Sequence, residues 1–169
     1  MKEFHYLLSL INVQDKKISN SIDFTDISNV PKEGRIMSLD LGTKKVGIAV
    51  TDVFQITIRP ICTIKRKTWK KFLKEVISYL DEYDAKALVL GLPLNFDGTE
   101  SVMSQDARKT AVRFSSSLWI PVYLQDERVS TYDARKNLWE RGLTGKSLQK
   151  KIDSEAAAII LEDFLSRLS

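Results

Sequence analysis

Residues 68–83 and 102–118 carry apolar side chains at intervals of three and four, the spacing of one helix face. In the first, Trp69, Phe72, Leu73, Val76 and Ile77 form the stripe; in the second, Met103, Ala107, Ala111, Phe114 and Leu118 do. Short β-branched and aliphatic runs at 35–41, 46–51, 58–64, 85–92 and 121–125 read as strands. The first two are separated by Gly42-Thr43-Lys44-Lys45, a hairpin pattern, and the fourth is apolar throughout, as strands buried on both faces are. Asn95-Phe96-Asp97-Gly98 is a turn signature. Ser130 with Asp133 resembles a capping box that opens a helix ending at Gly142, and residues 152–168 predict a final helix. The order β-β-β-α-β-α-β-α-α predicts an α/β protein, with a mixed sheet flanked by helices.

Residues 1–33 differ from the rest. They hold four basic and five acidic residues, are polar from Asp15 to Asn29, and end in Pro31-Lys32-Glu33-Gly34, a linker or turn. We therefore expect an N-terminal extension at 1–33 and one domain at 34–169. The net charge of +4 comes from the domain, most densely at Lys65, Arg66, Lys67, Lys70, Lys71 and Lys74. These residues form a solvated helix face, a phosphate-binding face, or both.

The chain has one histidine and one cysteine, so carboxylates must carry most acid–base or metal chemistry, and an intrachain disulfide is excluded. Apolar runs fall far short of the ~20 residues of a membrane span and no secretory signal is evident, so we expect a cytoplasmic protein without membrane partners. Three acids then stand out. Asp40 interrupts an otherwise apolar strand, where an unpaired carboxylate costs several kcal/mol. It caps the following turn or binds a metal. Asp126 and Glu127 follow a strand and should face opposite ways, so that one of them joins a site on a given side of the sheet. Asp153 heads the helical stripe of Ala156, Ala157, Ile160 and Phe164, either as a first-turn acid facing the helix dipole or pointing toward the sheet. Three converging carboxylates make the hard oxygen site that Mg²⁺ or Mn²⁺ prefers. Beside Asp40, the turn of Gly42 to Gly47 offers backbone amides, a hydroxyl and two cations to a phosphate.

Four ordered motifs carry a more specific resemblance: residues 35–52, from Arg35-Ile36-Met37-Ser38-Leu39-Asp40-Leu41-Gly42-Thr43 onward; residues 89–100, with Gly91-Leu92-Pro93-Leu94-Asn95-Phe96-Asp97-Gly98-Thr99; Asp126-Glu127-Arg128-Val129-Ser130-Thr131; and Ile152-Asp153-Ser154-Glu155-Ala156-Ala157. Together they resemble the YqgF family, also called RuvX, whose members are ribonuclease-H-like proteins regarded as Holliday-junction resolvases and as nucleases maturing pre-16S ribosomal RNA. The resemblance covers about 34–169. It implies a ribonuclease-H-like fold with a mixed five-stranded sheet, and a metal-dependent endonuclease in which Asp40, Glu127 and Asp153 hold Mg²⁺ or Mn²⁺, with Asp126 the second choice for the middle ligand. Thr43, Lys44, Lys45, Arg128 and Asn95 are the implied nucleic-acid contacts, with Lys70 and Lys71 added from the basic segment and Asp97 from the loop rimming the site. The implied partners are structured RNA or branched DNA, and the assembling ribosome, for a monomer or weak dimer. A binding factor without catalysis is the alternative role.

Overall fold

The computed structural model describes residues 23–127 and 146–168, with side chains of the second stretch from Ser154 onward. Its elements are β1 (Arg35–Leu41), β2 (Lys45–Thr51), β3 (Ile58–Lys65), α1 (Trp69–Glu82), β4 (Ala85–Leu92), α2 (Val102–Ser115), β5 (Val122–Asp126) and α3 (Lys146–Ser166). The strands form one sheet in the order β3-β2-β1-β4-β5. β1 pairs antiparallel with β2, and β2 with β3, whereas β1–β4 and β4–β5 are parallel. This is the mixed five-stranded sheet of the expected ribonuclease-H-like fold.

Boundaries differ from the sequence reading where local chemistry overrides apolar spacing. α2 stops at Ser115 rather than Leu118, because the Ser116 and Ser117 hydroxyls donate to the carbonyls of Val112 and Arg113 and the Ser117 N–H shifts to Phe114 O, only three residues back. α3 begins at Lys146, six residues before Ile152, since its first turns are polar but built of good helix formers. β5 runs from Val122 to Asp126, one residue later at each end than expected. The helix expected at 130–142 lies outside the described residues.

Strand alternation sorts side chains onto two faces. Met37, Leu39 and Leu41 of β1, Leu88, Leu90 and Leu92 of β4, and Val122 and Leu124 of β5 join Phe72, Val76 and Leu80 of α1 and Ala107, Ala111 and Phe114 of α2 in one core. Trp69, Phe72 and Phe114 form its aromatic centre, with ring centroids 5.0–6.2 Å apart. The opposite face packs Ile36, Ala49, Ala87, Val89 and Tyr123 against Ala157, Ile160, Leu161 and Phe164 of α3. Phe164 packs on Tyr123, whereas Ile160 lies against Gly91, two residue pairs farther up β4 and β5. α3 therefore runs antiparallel to β1, β4 and β5, and its N-terminal half lies toward their carboxyl ends.

Residues ahead of β1 also join the fold. Phe24 is buried in the first core, and its carbonyl accepts the Leu124 N–H at 2.8 Å on the outer edge of β5. Covering that edge removes a template for unwanted strand pairing. No helix among the described residues is long and apolar enough to cross a membrane.

Candidate functional site

The carboxyl ends of β1, β4 and β5 lie side by side, as expected where open α/β sheets gather functional groups. Asp40, next to last in β1, is partly buried and pairs with Gly47 across the hairpin. It shares the α3 face with Ile36 and with Ser38, whose buried hydroxyl donates to Ala157 O at 2.6 Å. Thus one side of β1 reads Ile36, Ser38, Asp40, growing more polar toward the strand end, while the other stays apolar.

Glu127 follows β5 and is partly buried. Its N–H donates to Leu92 O at 3.2 Å, which extends the β4–β5 pairing by one step. The Glu127 carboxylate occupies the space that a side chain at position 91 would need. A Cβ on Gly91 would overlap Glu127 Oε1 and stand 2.7 Å from Ile160 Cδ1. Glycine is required here by close approach, because both the acid and the α3 side chain rest on its bare Cα. This contact puts Glu127 on the face that holds Asp40. Asp126 alternates with it and pairs with Leu92, a residue of the α1/α2 core, so it faces the other way.

Asp153 belongs to α3, one turn before Ala157 and about 6 Å farther toward the strand ends along the helix axis. Its side chain lies outside the described residues, as do Arg128 and residues 129–145. Among the described residues no group of three metal-binding side chains occurs. Asp40 and Glu127 are two, and a hard, oxygen-only pair of this kind suits a small divalent cation better than a soft one.

Around the acids, the β1–β2 turn exposes Thr43, Lys44 and Lys45. Its shape is fixed by Arg66, whose backbone N–H donates to Lys44 O at 2.9 Å and whose guanidinium donates to Gly42 O at 3.2 Å. The same guanidinium pairs with Asp106 at 2.6 Å and reaches Thr110, so α2 braces the turn through one side chain. Arg66 is thereby engaged, whereas Lys70 and Lys71 are exposed on α1, on the opposite face of the sheet from Asp40 and Glu127. α1 starts just past β3, whose last residue pairs with Lys45, so these lysines stand at the same end of the molecule as the turn.

The loop after β4 is pinned by its own polar residues. Asn95 donates its amide to Thr99 Oγ1 at 2.8 Å, Asp97 Oδ1 accepts from the Thr99 N–H and hydroxyl, and Gly98 adopts a positive φ of 83°. Ser101 then caps α2 in a reciprocal box with Ser104, and Glu100 accepts from Arg108 at 2.7 Å. That charged bond holds the Glu100 carboxyl below its ordinary value against the opposing effect of burial, with a lesser contribution from Ser104. Asn95 and Asp97 thus shape the loop. Ser38, Gly91 and Arg66 were not singled out by sequence reasoning as parts of the site. A serine two residues before Asp40 and a glycine inside an apolar strand are the signals that could have marked the first two.

The family model described as RuvX, Holliday junction resolvase, matches residues 34–167. A protein of Anaeromyxobacter sp. (strain K) named "Putative pre-16S rRNA nuclease" is 38% identical over 133 residues, covering 79% of this chain and 97% of the relative. Proteins of the same name from Maridesulfovibrio salexigens and Myxococcus xanthus are 35% and 39% identical, covering 79% and 78% of this chain and 98% and 87% of the relatives. Among solved structures, Thermus thermophilus RuvC in complex with a Holliday junction substrate aligns with a TM-score of 0.49 at 14% identity, over 80% of this chain and 97% of that one.

Proposed function

We infer, from the premise that this chain belongs to the RuvX family, that it is an endonuclease that hydrolyses phosphodiester bonds and matures the 5′ end of pre-16S ribosomal RNA. The observation that carries this reading is the placement of Asp40 and Glu127 on one face at the carboxyl ends of β1 and β5, with Gly91 making room between strand and helix. Asp153, one turn before Ala157 on α3, is the third ligand of the reading. A binding surface alone has no use for acids beside phosphates, which they repel.

Asp40, Glu127 and Asp153 would hold Mg²⁺ or Mn²⁺, which supplies activation of a water and stabilisation of the leaving oxygen. The chain's own residues bind and orient the strand. Thr43, Lys44 and Lys45 present a hydroxyl and two ammonium groups to the phosphates flanking the scissile bond, on a turn that Arg66 prevents from yielding. Arg128, adjacent to Glu127, and Asn95 extend that contact. Lys70 and Lys71 add long-range attraction for a folded RNA that wraps the strand-end side of the domain. The cytoplasm and the assembling ribosome are the setting that this substrate implies. Branched DNA is a second reading, favoured by the description of the family model, and it requires two sites acting in concert in a symmetric dimer.

The test is cleavage of a labelled pre-16S RNA fragment and of a four-way DNA junction by wild type and Asp40→Asn, each with Mg²⁺, Mn²⁺ or EDTA. RNA cleavage that needs metal and falls ~10³-fold or more in the variant is the expected result. Junction cleavage by a dimer with the RNA left intact moves the assignment to DNA. RNA binding without cleavage of either substrate overturns catalysis.

A further inference from the structure

Phe96 is 89% exposed, although burying such a ring is worth roughly 1.5–3 kcal/mol. It is not displaced onto the surface by a loose loop. The turn that carries it is closed by Asn95 N–H to Thr99 O at 3.0 Å, Gly98 N–H to Asn95 O at 2.8 Å, the Asn95 amide to Thr99 Oγ1, and the Thr99 N–H to the Asp97 carboxylate. The ring is therefore held outward by a pre-formed scaffold, and a ligand meeting it incurs little ordering cost. The scaffold begins at Leu92, whose carbonyl accepts from the N–H of Glu127, so Phe96 stands within four residues of the strand end bearing the proposed site. Four residues of chain reach at most about 14 Å.

The other strongly exposed aromatics among the described residues are Phe54, at 72%, and Trp119, at 91%. Phe54 follows β2 and Trp119 precedes β5, which puts both at the opposite end of the sheet. A rigid, solvent-facing ring at the end of the sheet that carries the acids and the turn lysines calls for a ligand that is both anionic and flat-faced, and a nucleotide with an unpaired base is such a group.

Resting on the nuclease reading above, we propose that Phe96 is a stacking platform that grips an unpaired base of the RNA beside the scissile phosphate. Stacking is sequence-tolerant, so the ring selects unpaired over paired RNA rather than one base over another. It needs no ion, so it adds affinity without adding to the salt dependence that Lys44 and Lys45 confer.

The test uses full-length protein, Ca²⁺ in place of Mg²⁺, and an oligoribonucleotide with 2-aminopurine in an unpaired run. Wild type is expected to quench 2-aminopurine on binding. Phe96→Ala should abolish the quench and weaken binding roughly 5- to 150-fold with an unchanged slope of log affinity against log salt. Phe96→Trp should restore both, and Trp119→Ala should match wild type. Binding by Phe96→Ala within twofold of wild type, or an equal loss in Trp119→Ala, overturns the proposal. Because affinity is read without cleavage, Phe96 can fail while Asp40→Asn still abolishes cutting, and the reverse result would leave a binding platform without a nuclease.

Discussion

The two faces of the sheet are built from the same strands yet carry different burdens. On the α1/α2 side every inward residue of β1 and β4 is aliphatic, two amphipathic helices close over it, and Trp69, Phe72 and Phe114 fill the middle. On the α3 side, apolar positions give way to Ser38, Asp40, Gly91, Gln125 and Glu127 as the strands approach their carboxyl ends. Among the described residues a single helix covers that side, and it meets the strands through a hydroxyl–carbonyl bond and a bare glycine as well as through packing. One face stabilises the domain, which leaves the other free to hold polar groups that would otherwise cost more than they return.

This contrast can be broken or sharpened by substitution. Phe114→Ala, on the apolar face, is expected to cost about 3–5 kcal/mol in denaturant unfolding, while cleavage per folded molecule stays near wild type. Equal loss of specific cleavage would show that the two faces are not separable. Gly91→Ala should do the opposite. The new methyl meets the far end of Glu127, which can swing aside, and the tip of buried Ile160, so stability should fall by about 1–3 kcal/mol, but a shift of ~1 Å in the carboxylate should reduce cleavage by about 10²-fold. A variant that cuts normally would remove Glu127 from the site.

Smaller effects test how the faces are tied together. Ser38→Ala deletes the donor to Ala157 O and is expected to cost about 1 kcal/mol, read as a lowered midpoint at unchanged m. The smallest change concerns the end of the sheet remote from the acids. There Asp52 accepts from Ile56 N–H at 2.8 Å and from Thr57, and the first of these bonds holds its carboxyl below the ordinary value. Its contribution is present above the carboxylate's unfolded-state pKa and is lost as pH falls through the lower folded-state one. Asp52→Asn should therefore lower stability slightly at neutral pH, by the amount the wild type loses in acid, and so flatten the acid limb until the two proteins converge. An unchanged acid limb would show that this turn is not coupled to unfolding.

Much of this was legible along the chain because it depends on near neighbours. The alternating and three-to-four spacings located five strands and the amphipathic helices within a few residues, and Asp40 stood out as a charge inside an apolar strand. The apolar stripe of α1 appeared as read, with Phe72, Leu73 and Val76 buried and Lys70 and Lys71 in solvent. The stripe of α2 was less faithful. Ser104 and Thr110 are buried beside Ala107 and Ala111, because the capping box and Arg66 give their hydroxyls partners that hydrophobic spacing cannot reveal.

Periodicity and composition alone therefore located the five strands and the described helices, excluded a disulfide and a multi-cysteine metal site, and left oxygen ligands as the main available chemistry. Tertiary structure decided the rest. Only pairing of β4 with β5, and the seat of Glu127 on Gly91 under Ile160, separates Glu127 from Asp126. Only the crossing of Arg66 to Gly42 and Asp106 shows that a lysine-bearing turn is rigid. The reason is physical: spacing along the chain reports which way a side chain points relative to its own element, whereas what it meets is set by the register and packing of elements tens of residues apart.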